Sequence, residues 1–254
     1  MPPANITIRP GTAADADAIS QVHYEALDQF HEFYGAFFKK HPREMLPLMT
    51  AQAFAKKEPA WVFYVAEEGD DVVGFVRYCF EEAKDSDEKK EKKEEEKVDG
   101  KEEGEKKKKK EEESPYACKE ELKELWKAFN DAQTKAEETV ENAAKGQRHM
   151  WIQHLMIRPS HQRRGIGHAL LSTALQHADE QTLPAVIVSS AESVALYRKF
   201  GFVSQGSFQI DNGHWAREVA RVQPGQASEM LVERYDGVFE VEDVMVRAAL
   251  GREY

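Results

Sequence analysis

The sequence predicts an α/β fold in which helices flank a mixed β-sheet. Residues 150–202 alternate between strand and helix patterns, and residues 61–80 contain two apolar stretches joined by a turn-forming segment. The 254 residues are 41% hydrophobic, which suffices for a core because one charged stretch causes most of the deficit. We therefore expect a single domain over residues 1–254, interrupted by a solvated insertion at 82–113 and a long amphipathic helix at 114–146.

The N-terminal third is predicted to hold one short strand followed by two helices. The strand pattern over Ile6–Arg9 ends at a Pro-Gly pair. Thr12, with Asp15 three residues later, resembles a capping box and predicts a helix that continues to about Phe30. A second helix is expected over Pro42–Lys57, before the two strands of the hairpin around Gly69.

The middle of the chain is dominated by charge. Residues 84–113 include 12 lysines and 14 acidic residues among 30 positions, a composition that cannot bury a core. After this stretch, apolar residues recur every three or four positions from Leu122 to Val140, which predicts a helix of roughly 30 residues and about 45 Å. Ser114 is its expected N-cap and Gly146 its expected end, and its apolar stripe packs either on this domain or on a partner.

The overall charge and the cysteine count restrict the classes of function. A net charge of −11 disfavours broad nucleic-acid binding, because phosphates attract a positive surface. No apolar run is long enough to cross a bilayer, and the N-terminus does not resemble a signal peptide. With only two cysteines, the expectation is an intracellular, cytoplasmic protein, with a nuclear address at Lys106–Lys110 as the alternative. The oligomeric state stays open.

The segment Gln162–Gly167, which follows a strand pattern and precedes a helix, indicates a phosphate site. Its two glycines let the backbone approach an anion, and the N–H groups at a helix start are unpaired and lie at the positive end of the helix dipole. Arg163 and Arg164 would add charge-assisted hydrogen bonds. The segment lacks the Gly-Lys-Ser/Thr ending of a P-loop and the third glycine of a dinucleotide fold. The chemistry therefore indicates a phosphate without naming the ligand, and a plain Arg-Gly turn before a helix is the structural alternative.

Two motifs in this half of the chain resemble the GCN5-related N-acetyltransferase (GNAT) family. Gln162, Gly165 and Gly167 match the family's Q/R-x-x-G-x-G/A pattern, and Tyr197 lies in a helix that ends in Gly201-Phe202. The resemblance extends over about Ile6–Ile210. It implies a central, mostly antiparallel sheet with flanking helices, a V-shaped split between strands 4 and 5, and acetyl-CoA bound in that split.

The resemblance also implies which residues act. The cofactor-binding residues would be Leu155, Met156, Ile157, Gln162, Arg163, Arg164, Gly165, Ile166, Gly167 and His168. Tyr197 would protonate or hydrogen-bond the leaving sulfur, with simple packing against the sheet as its structural alternative. The implied reaction is direct transfer of the acetyl group of acetyl-CoA to a primary amine. No metal site is expected.

The general base is where the sequence departs from the family. Trp151 occupies the position at which the histone-acetylating branch carries a glutamate. An alkylammonium has a pKa of about 10, so its proton needs another acceptor, and the candidates are His154, Glu25, His214 or a chain of water molecules. The missing glutamate leaves a second hypothesis, a catalytically degenerate CoA-binding module that works through its charged insertion and long helix.

The acceptor substrate is an amine-bearing small molecule or a protein or peptide. Two variable segments are expected to shape its groove. The first is Phe30–Phe38, which is rich in aromatic residues and forms either the core or a groove surface. The second follows Ile210, where we expect a loop or hairpin over the substrate side, then a last strand over Val241–Ala248 after the Asp236-Gly237 turn.

Overall fold

A computed structural model describes residues 5–83, 114 and 117–251. Within these residues, the strands are β1 (Ile6–Pro10), β2 (Val62–Glu68), β3 (Asp71–Glu81), β4 (His149–Ile157), β5 (Ala185–Ser190), β6 (Phe202–Asp211) and β7 (Phe239–Arg247). The helices are α1 (Ala16–Ala26), α2 (His31–Phe37), α3 (Pro42–Ala55), α4 (Lys123–Ala132), α5 (Thr134–Ala143), α6 (Ile166–Glu180), α7 (Val194–Lys199), α8 (Asn212–Val222) and α9 (Gln226–Tyr235). None of them is long and apolar enough to cross a membrane.

The seven strands form one mixed sheet in the order β1-β2-β3-β4-β5-β7-β6. The β4–β5 pair is parallel and each of the others is antiparallel, which confirms the predicted fold class. The parallel ladder is short: Met150–Ile152 pairs with Ala185–Ile187, and no pairing is found beyond Ile152 within the described chain. The strands therefore diverge toward their C-terminal ends and form the predicted V-shaped split.

Each face of the sheet carries its own helices. On one face, α6 and α7 pack in a core that includes Tyr78, Ile152 and Ile187. The opposite face is covered by α1 and α3 over β2 and β3, and by the end of α5 over Val186 and Val244. The helices α2, α4, α8 and α9 continue this second layer around a largely aromatic cluster. The open part of the split thus lies between two layers of helices.

The capping box before α1 is part of an ion pair. The Thr12 backbone N–H donates to the Asp15 carboxylate at 2.7 Å, and both Arg9 terminal nitrogens also donate to it. The pKa of Asp15 is lowered far below its ordinary value, mainly by the hydrogen bond from Arg9. The start of the helix is consequently tied to the edge strand β1.

The single long helix expected over residues 114–146 is wrong. Residues around Cys118 are extended and bridge to Phe38, so the helical region begins only at Glu120. The helix then breaks at Gln133 into α4 and α5. Two packing surfaces explain the break, because Phe129 of α4 lies in the aromatic cluster while Ala143 of α5 packs on the sheet. The apolar stripe therefore packs on this domain. The part of the 82–113 insertion from Lys84 onward lies outside the described residues.

The segment before the last strand also differs from the expectation. It forms the two helices α8 and α9 instead of a loop or hairpin, and β7 begins at Phe239, two residues before the expected Val241. Leu231 and Tyr235, four residues apart, are both buried in the aromatic cluster, as are Ala216 and Val219. Helical spacing of the buried residues outweighs the local alternation that suggested strands.

We predict that Tyr235→Phe lowers the free energy of unfolding by about 1–2 kcal/mol. The Tyr235 hydroxyl accepts from the Phe33 backbone N–H at 3.0 Å and donates to the Gln29 carbonyl at 2.8 Å, so the variant leaves two backbone groups unpaired. Urea unfolding measures the change. Met230→Gln, at an exposed position of α9, is the control and should change stability by less than about 0.5 kcal/mol. Equal stability of Tyr235→Phe and wild type would contradict this account.

Candidate active site

One side of the split is the C-terminal half of β4. Leu155, Met156 and Ile157 pair with β3 along one edge, while their edge toward β5 has no ladder partner among the described residues. A register shift near Arg77 inserts one extra residue into β4 before His154, which is a β-bulge. The bulge and the missing ladder leave backbone groups of β4 available to a ligand in the split.

The loop from Gln162 to Gly167 closes the C-terminal end of β4. The Gln162 side-chain amide donates to the Ile157 carbonyl at 3.3 Å and holds the loop against the strand. The backbone then turns through left-handed conformations at Arg163 (φ 61°) and Gly165 (φ 81°) before α6 begins at Ile166. In the described part of the chain, no acceptor is found for the backbone N–H groups from Arg163 to His168. These N–H groups and the start of a 15-residue helix form an anion-binding arrangement.

The two arginines of the loop differ in their surroundings. Arg164 contacts Glu68 of β2 through both terminal nitrogens, at 2.5 and 3.2 Å, and His161 contacts the same carboxylate at 3.0 Å. The hydrogen bond from Arg164 is the main cause of the lowered pKa of Glu68. Arg163 is exposed and has no ion-pair partner among the described residues. A phosphate at the loop would therefore meet one unengaged arginine and one that Glu68 already orients.

Tyr197 lies on α7, the helix that follows β5. The residue is 3% exposed, its ring contacts Phe202 edge-on at 5.6 Å, and its hydroxyl has no hydrogen-bond partner in the described structure. Burial raises the pKa of Tyr197 well above its ordinary value, so the phenol stays protonated at neutral pH. The side chain fits both the packing role and the role of a proton donor.

His154 and Glu25 occupy different surroundings. The His154 ring lies 4.6 Å from that of His23 on α1, and desolvation is the main cause that lowers the pKa of His154 well below 6.5. Glu25 instead lies 3.6 Å from Arg158 in an ion pair and lines a cavity of about 360 Å³ with Tyr24, Arg43 and Pro159. No described contact joins His154 to Glu25. His214 is exposed on α8.

β7 carries a carboxylate pair that was not predicted from the sequence. Glu240 accepts hydrogen bonds from the Tyr34 hydroxyl at 3.3 Å and from the Asn212 side-chain amide at 2.5 Å. Glu242 is two residues further along the same face, and burial is the main cause that raises its pKa to about 7. The sequence feature that could have identified this pair is the two-residue spacing of Glu240 and Glu242 inside an otherwise apolar strand pattern, because this spacing places both on one face.

Comparison with known proteins agrees with the fold and the loop. A family model described as an acetyltransferase (GNAT) domain matches residues 90–218, more than half of the chain, and this match includes β4, the Gln162–Gly167 loop and Tyr197. The chain belongs to the GNAT acetyltransferase family. No curated protein matches the sequence significantly.

Several solved structures are similar to this chain. The histone acetyltransferase HPA2 and related acetyltransferase from Corynebacterium glutamicum is 15% identical, with 98% of this chain and 99% of that chain covered and a TM-score of 0.52. NAA60 of Arabidopsis thaliana, in complex with a bisubstrate analogue, is 12% identical over 97% and 99% of the two chains, with a TM-score of 0.48. The PaiA N-acetyltransferase of Thermoplasma acidophilum, in complex with coenzyme A, is 10% identical over 96% and 98%, with a TM-score of 0.44. At these identities the similarity concerns the fold alone.

We predict that alanine destabilises the protein at Gly165 but not at Gly167. Gly165→Ala should destabilise the protein by about 1–2 kcal/mol, because its φ of 81° is unfavourable for an L-residue even though a Cβ there meets nothing within 4 Å. Gly167 has no such φ, and its Cβ would lie 3.5 Å from Leu196, an ordinary contact. Gly167→Ala should therefore leave stability unchanged or raise it by up to about 1 kcal/mol. Thermal unfolding of both variants measures the difference, and equal effects would refute the explanation.

We predict that His23 contributes to loss of stability in acid. Burial is the main cause that lowers the pKa of His23 from 6.5 to about 4, so the folded protein keeps the ring neutral. This contribution is present above pH 6.5 and is lost as the pH falls toward 4. His23→Gln should lose less unfolding free energy than wild type over that window, as measured by urea titrations at several pH values. His214→Gln, at an exposed position, should follow the wild-type curve.

Proposed function

We propose that this protein is an acetyl-CoA-dependent N-acetyltransferase that acts on a primary amine in a ternary complex. The observation that carries the proposal is the continuity of the split with the Gln162–Gly167 loop. Among the described residues, a β4 edge without a ladder partner leads to a loop whose backbone N–H groups from Arg163 to His168 have no acceptor. This loop also carries the cationic side chains of Arg163 and Arg164. This arrangement suits a ligand with a long polar arm and a pyrophosphate at one end.

The residues present fit acetyl-CoA. Leu155, Met156 and Ile157 would hydrogen-bond the pantetheine arm through backbone groups on the open edge of β4. The backbone N–H groups from Arg163 to His168, together with the two arginine side chains, would hold the pyrophosphate. Gln162 would act indirectly, because its side chain fixes the loop on β4. Gly167 keeps the start of α6 close to Ile157 and Leu196, since both side chains lie within 4 Å of where its Cβ would be.

Acetyl-CoA would supply an activated acetyl group as a thioester. A neutral amine forms the new C–N bond at the acetyl carbonyl, and the C–S bond breaks. A backbone N–H on the open edge of β4 would stabilise the charge that develops on the carbonyl oxygen. Tyr197 would donate its proton to the departing sulfur, a role that the raised pKa of its buried hydroxyl permits at neutral pH.

The proposed proton acceptors His154 and Glu25 have different surroundings. The lowered pKa of His154 keeps its ring neutral, so the ring can accept a proton, but it makes the histidine a weak base. Glu25 is engaged by Arg158 and by the Gln21 amide, which donates at 2.8 Å. Both assignments stay predictions.

The aromatic segment at residues 30–38 is mainly part of the core. Phe33 and Phe37 are fully buried and pack against Phe129 of α4. Tyr34 is the member of this segment whose hydroxyl reaches the carboxylate pair on β7. We therefore expect polar groups of α2 and β7, rather than an aromatic surface, to line the acceptor groove. A small amine and an amine on a protein or peptide both suit this description.

We predict that the double variant Arg163→Gln, Arg164→Gln binds acetyl-CoA about 10-fold to 100-fold more weakly than wild type, because charge-assisted hydrogen bonds to phosphate contribute about 1.5–3 kcal/mol. Isothermal titration calorimetry measures the affinity. Arg221→Gln is the control, since Arg221 pairs with Glu218 on α8, outside the proposed cofactor site. Unchanged affinity of the double variant would overturn the cofactor assignment.

Release of free thiol from acetyl-CoA across a panel of amines, peptides and polyamines tests the transfer reaction. Acetyl-CoA binding without any thiol release would favour the alternative of a CoA-binding module. The partly buried Trp151, where the histone-acetylating branch has a glutamate, is the observation that keeps this alternative.

A further inference from the structure

The carboxylate pair on β7 lies one strand beyond the split, beside the C-terminal end of β5. Glu242 is opposite Ser190, the last residue of β5, whereas the β4–β5 ladder already ends at Ile187. Glu240 and Glu242 share a face with Val244, which packs against α5 on the side of the sheet that α1 also covers. The pair therefore faces the layer of helices opposite to α6 and α7, across the sheet from Tyr197.

The two carboxylates differ in their hydrogen-bond partners. Glu240 accepts from Tyr34 and Asn212, and burial raises its pKa above the ordinary value. Glu242 has no hydrogen-bond or ion-pair partner among the described residues, although burial and the neighbouring Glu240 both disfavour its ionised form. In the part of the chain that the structure describes, this half-buried carboxylate therefore has neither a hydrogen-bond donor nor a counter-ion.

The side-chain oxygen of Asn212, next to the pair, indicates which kind of ligand would complete the hydrogen bonding there. Asn212 is fully buried, and its side-chain amide nitrogen donates to Glu240, while its side-chain oxygen has no hydrogen-bond donor in the described structure. The described side chains of this cluster thus offer four carboxylate oxygens and one amide oxygen as acceptors. Their donors are the Tyr34 hydroxyl and the Asn212 amide. A primary ammonium ion would supply both a positive charge and three N–H donors to this cluster.

We propose that Glu240 and Glu242 form the subsite for the acceptor's ammonium group and that Glu242, in place of His154 or Glu25, removes the proton from the attacking amine. This inference rests on the proposed acetyl transfer and names the acceptor class, a primary alkylamine that is protonated at neutral pH. One proton moves from nitrogen to the Glu242 carboxylate, the nitrogen forms the bond to the acetyl carbon, and the C–S bond breaks as the sulfur takes a proton from Tyr197. The second proton that the nitrogen loses restores the Tyr197 hydroxyl, and Glu242 returns its proton to solvent.

The test compares two amine acceptors that differ in their protonation state at pH 7. n-Butylamine is protonated at pH 7 and must lose a proton before it attacks, whereas aniline is already neutral. Glu242→Gln keeps the size of the side chain and removes the base, so kcat/KM should fall about 100-fold or more for n-butylamine. For aniline it should fall by less than about threefold. Glu233→Gln, at an exposed position of α9, should leave both rates unchanged.

A second variant tests the coupling within the pair. Among the described residues, the titratable groups near Glu242 are Glu240 on the same strand and Tyr34 on α2, and Tyr235 of α9 lies near Tyr34. The residues that pair with Glu242 in the sheet are Ser190 of β5 and Phe208 of β6, and neither is titratable near neutral pH. Both tyrosines stay neutral near pH 7, because burial raises their pKa values. Glu240→Gln removes a like charge, so the acidic limb of the kcat/KM profile for n-butylamine should move to lower pH. The acidic limb of the kcat/KM profile should be absent in Glu242→Gln.

The outcomes separate this inference from the proposed function. Thermal unfolding and acetyl-CoA titration at pH 8 are the controls, in which Glu242→Gln is expected to fold and to bind acetyl-CoA as the wild type does. If the wild type acetylates n-butylamine and Glu242→Gln does so equally well with the same pH profile, the subsite assignment is wrong and the transferase proposal stands. A parallel loss for n-butylamine and aniline also overturns the proton-acceptor role. A wild type that binds acetyl-CoA and acetylates no amine overturns both proposals.

Discussion

The early end of the β4–β5 ladder is the constraint on which the candidate site depends. Parallel pairing holds the strands together at Met150–Ile152 and then stops, although β5 continues to Ser190 through its pairing with β7. Backbone hydrogen-bonding groups at a buried edge normally require partners. Here the helices α6 and α7 on one face and the α1–α2 layer on the other keep the edge inside the molecule. The sheet therefore presents a polar backbone edge in a sheltered position, where an extended ligand can satisfy it.

Charge is distributed unevenly around this split. The loop beyond β4 carries Arg163 and Arg164 together with N–H groups that have no acceptor among the described residues, so the field there is positive. The pair Glu240 and Glu242 lies beside the end of β5, where the field is negative. Buried or sheltered charges interact more strongly than exposed ones, because water screens them less. An anionic donor and a cationic acceptor would therefore be directed to different parts of the same opening.

Local signals predicted much of the fold and the cofactor half of the site. The Thr12 capping box, the hairpin around Gly69 and the glycine turn at Gly165 each depend on a few neighbouring residues, and all are present. The break at Gln133 and the helices before β7 were not predicted, because the packing of Phe129 and Tyr235 against distant segments decides them. The carboxylate pair was missed for a related reason: its burial and its partner Tyr34 are supplied from elsewhere in the chain.

The sequence by itself determined the order of strands and helices around the Gln162–Gly167 loop and the residue types that can hold a phosphate there. Those features follow from backbone preferences and helix termini, which act over a few residues. Only the tertiary structure decided which carboxylate lies unpartnered beside the split and which histidine is kept neutral. A pKa depends on burial and on charges that are close in space, and Tyr34 approaches Glu240 across 206 positions of the sequence.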